Sequence, residues 1–142
     1  MKELVCAAIG VIGSFFASIF GGWDSALVTL VIFMVVDYVS GFIVAAVFHK
    51  SKKTTSGSLS SAIGWKGLCK KFMILVIVVI AYRLDIAIKT DYIRTMVILG
   101  FMANELISIV ENAGLMGLPL PAVINKAIDI LTNKSDPKEG GQ

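Results

Sequence analysis

Five charged side chains stand inside apolar runs of this sequence, Asp37, Arg83, Asp85, Arg94 and Glu105. An acidic group at the centre of a bilayer costs about 2.5–3.5 kcal/mol on insertion scales, so each of these needs a partner or water. Two kinds of chemistry follow. An acid and a base can close an ion pair that fixes which helices are neighbours, or the charges can line a wet lumen. Gly41 and Ala45 follow Asp37 at spacing four, so the helix face that carries the charge also allows close packing. Glu105, Ser108 and Asn112 form a second polar stripe, which reads equally as a lumen wall or as a hydrogen-bonded seam. Enzymatic chemistry is not indicated. The sequence has no Gly-rich phosphate loop ending in Lys-Ser/Thr and no nucleophile elbow. His49 is the only histidine, and Cys6 and Cys69 lie far apart, so neither a metal site nor a cofactor is expected.

The elements that position these charges are helices. Of the 142 residues, 56% are hydrophobic and 16% charged, and the mean hydropathy is +0.84. The apolar residues fall in long blocks separated by short polar clusters, which is the pattern of membrane spans. The blocks are Leu4 to Phe20, Ser25 to Phe48, Phe72 to about Ile88 and about Tyr92 to Val110. Gly114 to Pro121 then breaks the helix. A short amphipathic helix from Ala122 to Leu131 carries Ile124, Ala127 or Ile128, and Leu131 on one face. The expected fold is an all-α membrane protein with about four transmembrane helices and a short C-terminal amphipathic helix. Residues 1–131 form one multi-pass domain, and residues 132–142 are a polar, disordered tail.

Depth in the membrane can be counted from the shared loop between the second and third blocks. Asp37 precedes Phe48 by the same interval as Arg83 follows Phe72. At about 1.5 Å per residue both stand roughly 16 Å from that edge, which predicts an Asp37–Arg83 pair.

The net charge is only +3, yet its placement is informative. Lys50, Lys52, Lys53, Lys66, Lys70 and Lys71 all fall in one acid-free connection, residues 49–71. By the excess of lysine and arginine in cytoplasmic loops, this connection faces the cytoplasm, and four spans put both termini there too. A nucleic-acid partner is not expected, because the loop holds a single aromatic, Trp65, and is flanked by apolar spans. In the first block, Ala7, Gly10, Ser14 and Ala17 recur at three- and four-residue spacing. A face of small residues lets another backbone approach closely, either from a second copy of the chain or from the next helix. Lys2 is the only base before this block, Glu3 cancels its charge, and no small-residue cleavage site follows, so the block reads as an uncleaved helix, spanning or lying on the surface.

Taken in order, several stretches resemble the toxin-secretion/phage-lysis holin family. They are Asp37 with Gly41, the connection ending Gly64-Trp65-Lys66-Gly67-Leu68-Cys69-Lys70-Lys71, the segment from Asn104-Glu105 to Glu111-Asn112, and Gly117-Leu118-Pro119-Leu120-Pro121 leading into a short helix. The resemblance implies a phage or prophage protein of the bacterial cytoplasmic membrane. It implies that such a protein oligomerises with itself in the lipid bilayer and opens lesions that release an endolysin or a toxin, leading to host cell lysis. A small channel or transporter subunit, or a membrane scaffold, is the competing expectation from the residues alone.

Overall fold

The computed structural model describes residues 1–135, and these form five α-helices with no strand among them. They are α1 (Lys2–Phe20), α2 (Ser25–Ala46), α3 (Ser61–Ile88), α4 (Ile93–Leu115) and α5 (Ala122–Ser135). Short turns join α1 to α2 and α3 to α4 at one end of the bundle. The longer connection, residues 47–60, joins α2 to α3 at the other.

Each boundary has a local cause. α1 stops at Gly21, which adopts a left-handed φ of 80° while its N–H donates to the Ala17 carbonyl. Glycine is needed there twice over, because a Cβ would also lie 2.6 Å from the Tyr82 ring. Asp24 opens α2 by accepting a 2.9 Å hydrogen bond from the Leu27 N–H. The start of α4 is capped from the preceding helix: the Asp85 carboxylate accepts from the Ile93 N–H at 3.0 Å and the Arg94 N–H at 2.9 Å. Gly117, with φ of 80°, turns the chain after α4.

α4 is the hub, packing on α2, α3 and α5, whereas α2 and α3 scarcely meet. Leu27 and Leu30 of α2, Val78 of α3 and Ile98 of α4 are fully buried at the centre, joined by Met34, Met102 and Phe20. A lipid chain is as apolar as a leucine, so this contact works through close packing more than through exclusion of water. α1 leans on α3 and buries only Phe20. α5 folds back along α4, and its half-buried residues Ile124, Ala127, Ile128 and Leu131 are the face that the sequence reading marks as apolar.

Three helices are long and apolar enough to cross a membrane: α1, α2 and α4. The sequence reading of about four spans therefore exceeds what length and composition show by one. α3 runs for 28 residues, but only 72–82 separates Lys71 from Arg83, and such a stretch covers about 16 Å, roughly half the hydrocarbon thickness.

Three other boundaries move. α3 begins at Ser61 and not after Lys71, so Lys66, Lys70 and Lys71 belong to a helix and the basic connection of 49–71 is only partly loop. That stretch holds no proline, its glycines Gly64 and Gly67 lie against Tyr38, and the Tyr38 hydroxyl donates to the Gly64 carbonyl at 3.4 Å. α4 continues past Val110 to Leu115. α5 continues to Ser135, so residues 132–135 are helical and not part of a disordered tail; 136–142 lie outside the described residues.

Candidate functional site

The middle of the bundle holds a buried charge cluster built by three helices. Asp37 stands as far into α2, counted from Ser25, as Glu105 stands into α4, counted from Ile93, which brings two carboxylates to one level. Lys71 of α3 reaches both: its Nζ lies 2.7 Å from Asp37 Oδ2 and 2.6 Å from Glu105 Oε2. Asn112, further along the same face of α4, donates through Nδ2 to Asp37 Oδ1 at 3.3 Å and to Ser40 Oγ at 2.9 Å. Among the described residues no buried side-chain polar atom lacks a partner. Packing makes room for this arrangement, because Gly41 lies against Asn112 and Ala45 is buried.

The expected Asp37–Arg83 pair is not formed. Arg83 is exposed and takes part in none of the ion pairs among the described residues. The depth count fails because it starts at Phe72. The helix starts at Ser61, and that shift moves Arg83 toward the far end while bringing Lys71 level with Asp37. Of Asp37, Arg83 and Glu105, the structure thus unites the two acids and replaces the base. The signal for Lys71 is present in the sequence, but inside an acid-free run it reads as loop charge.

A second cluster at the turn end unites residues that the sequence marks only singly, Asp85 and Arg94 as charges inside apolar blocks and Asp24 in the turn before the second block. Arg94 Nε donates to the Phe20 carbonyl at 2.6 Å, and Nη1 and Nη2 grip Asp24 at 2.6 and 3.3 Å. Nη2 also reaches the Gly22 carbonyl at 3.2 Å. One guanidinium therefore ties the α1–α2 turn to the first turn of α4. The Arg94 guanidinium beside Asp24 holds that carboxyl below the usual carboxylate range, against a smaller opposing effect of burial. Asp85, bonded to the Thr90 hydroxyl and to two N–H groups of α4, completes the knot.

The other marked residues lie on surfaces. Ala7, Gly10 and Ser14 of α1 are exposed and Ala17 is half-buried, and a Cβ at Gly10 would meet nothing within 4 Å. Lys50, Lys52, Lys53, Lys66 and Lys70 are exposed, leaving Lys71 as the one lysine of that group turned inward. Large apolar side chains cover much of the outside, among them Leu4, Ile9 and Phe15 of α1 and Ile32, Val35 and Val39 of α2. So much outward apolar surface is what lipid contact requires. Among the described residues no group of His, Cys, Asp and Glu could hold a metal ion.

Comparison with known proteins finds relatives along nearly the whole chain. The chain is 36% identical to an uncharacterized protein of Clostridium perfringens (strain 13 / Type A), over 95% of this chain and 97% of that one. It is 39% identical to an uncharacterized protein of Listeria innocua, over 92% and 90% of the two chains. A protein of Bacillus phage phi105 named a probable holin is 26% identical over 77% of this chain and 76% of its own. No solved structure matches. The profile described as the bacteriophage holin family matches residues 14–133, from the second half of α1 to two residues short of the end of α5. With all five helices inside or overlapping that match, the chain belongs to the bacteriophage holin family.

Proposed function

We propose that this protein is a holin that accumulates in the bacterial cytoplasmic membrane, self-associates, and opens lesions through which an endolysin or a toxin leaves the cell. The observation that carries the reading beyond family membership is α1, a membrane-length helix that buries only Phe20 and leaves Ala7, Gly10 and Ser14 open. Small residues on an open face suit association between helices without a hydrophobic driving force. The ion cluster works differently. Asp37, Lys71 and Glu105 close on one another, which favours a role in fixing helix order over a permeation path within one copy. A folded hydrolase cannot pass through five helices, so release needs many copies and a concentration threshold. This reading involves no enzymatic step and no cofactor.

In this reading α3 is the fourth span: Lys71 and Asp85 are met inside the bundle, and exposed Arg83, near the turn end of the helix, reaches the outer head-group region. The acid-free lysines then face the cytoplasm with both termini. Cys69, exposed beside Lys70, reports on this: a membrane-impermeant thiol reagent applied to intact cells before lesions open should leave it unlabelled.

The functional test is induced expression in bacteria with membrane potential followed over time. Tolerance followed by abrupt depolarisation is expected, with wall breakdown only when a hydrolase is co-expressed. Gly10→Leu or Ser14→Leu should delay the abrupt step while leaving membrane insertion unchanged. A smooth rise in permeability from the first copies made would favour a channel, and no depolarisation at high abundance would favour a scaffold.

A further inference from the structure

Because α2 and α3 scarcely touch, a cavity of about 290 Å³ lies between them, floored by α4 and closed over by the loop of residues 47–60. Its deep end is the Asp37–Lys71–Glu105 cluster, in which the charges are already engaged. Counting the whole lining, four lysines face three carboxylates, Asp37, Glu105 and Glu111, a net of +1, and Lys52, Lys53 and Lys70, which form no ion pair among the described residues, carry the positive surplus.

The loop that carries Lys52 and Lys53 is folded. Ser51 N–H donates to the Gly57 carbonyl at 3.0 Å, and the Thr54 hydroxyl donates to the Ser58 carbonyl at 2.9 Å. Ser58 Oγ lies 3.3 Å from His49 Nδ1. Gly57 has φ of 73°, and a Cβ there would run into the His49 carbonyl, so this turn of the loop requires glycine. Exposed Phe42 and Leu59 are also among the lining residues, so the walls are partly apolar.

We propose that this cavity seats the phosphate of an anionic membrane lipid, held by Lys52, Lys53 and Lys70, with the lipid chains running out over Phe42 and Leu59. The volume of about 290 Å³ falls just below the roughly 300–1,000 Å³ range of small-molecule sites, which suits a head group and not a whole amphiphile. A free phosphate would satisfy the lysines but leave the apolar rim wet; a lipid covers both. Basic pockets between membrane helices on the cytoplasmic side are a recurrent form of head-group site. The inference rests on the membrane placement proposed above, and not on lesion formation.

The test is native mass spectrometry of the full chain in mild detergent, titrated with phosphatidylglycerol or phosphatidylcholine. The wild type should retain phosphatidylglycerol preferentially. Each lysine near a head group contributes about a fivefold effect, so the triple change Lys52→Gln, Lys53→Gln, Lys70→Gln should weaken retention more than tenfold. A control triple, Lys2→Gln, Lys50→Gln, Lys66→Gln, removes the same charge outside the cavity and should change retention by less than about threefold. Equal losses in the two triples would mean diffuse attraction and would overturn the site, as would equal retention of the two lipids. Displacement by millimolar glycerol phosphate would assign the site to a soluble phosphate and overturn the lipid. If the cavity triple does not insert, Lys70→Gln alone is read, with about a fivefold loss expected and no loss counting against the site. A wild type that selects phosphatidylglycerol yet never depolarises cells would sink the holin reading and leave this site standing.

Discussion

The knot at the turn end and the cluster in the middle of the bundle contain the same charges, two acids and one base, but neutralise them differently. At the turn end, Arg94 answers Asp24, while Asp85 is met by two backbone N–H groups at the start of α4. A helix N-terminus carries partial positive charge, so the backbone itself supplies what the second acid lacks. In the middle, Asp37 and Glu105 share one ammonium, and Glu105 has no other hydrogen bond among those of the described residues. Asn112 adds a neutral donor to Asp37 alone. The lesson is that a charge count does not rank such sites: one is backed by the main chain, and the other draws its positive charge from a single side chain.

The largest effect should come from Lys71. Lys71→Met leaves two buried carboxylates facing each other, and loss of one member of a buried pair costs on the order of 3–5 kcal/mol. Unfolding in mixed micelles should show it, with Lys71→Arg recovering most of the loss. In a double-mutant cycle, Asp37→Asn should be far less harmful on a Lys71→Met background than on the wild type; simple additivity would remove the shared ammonium from the account.

Arg94→Ala should come next, at about 2 kcal/mol, because its hydrogen bonds to a carboxylate and two carbonyls are lost but Asp24 is half exposed and can turn to water. The same unfolding measurement applies, and a loss as large as that of Lys71→Met would erase the contrast between the sites. Asp85→Asn should cost about 1 kcal/mol, the scale of a helix cap, since the amide oxygen can still accept from one N–H.

The smallest effect is a pH dependence. Because Arg94 lowers the Asp24 pKa below its ordinary 3.8, the stabilisation from this pair is complete above that value and is lost as pH falls through the lower folded-state value. Asp24 is half exposed, so the whole effect should stay under about 1 kcal/mol. The stability gap between wild type and Asp24→Asn should be constant at neutral pH and close only under strong acid; a gap that closes well above pH 3.8 would point to a different group.

Much of this molecule can be read along the chain where one physical signal dominates. The apolar blocks give α1, α2 and α4, and the 3.6-residue pattern gives the face of α5 that meets α4. Asp37 and Glu105 announce themselves as acids in apolar surroundings. Lys71 does not, because a lysine at the edge of a basic stretch looks solvated, and only the tertiary position of α3 turns it inward. Arg94 and Asp85 are harder still. Their partners are main-chain groups and a turn aspartate, and nothing in residue type or spacing distinguishes a carboxylate that caps a helix from one that faces water.

Lys71 stands 34 residues after Asp37 and 34 residues before Glu105, and this spacing has a consequence for synthesis. At about 5–20 residues per second, Asp37 leaves the ribosome roughly 2–7 s before its ammonium and Glu105 follows after a similar interval. The first acid can therefore meet the lysine while the second is still unmade, so the Asp37–Lys71 pair is available before α4 is complete. Arg94 emerges before Glu105, so the turn-end knot is available to hold α4 before its buried acid arrives. The order of the charges along the chain keeps the most expensive intermediate, a lone Asp37 on a lone hairpin, confined to the first few seconds of the protein's existence.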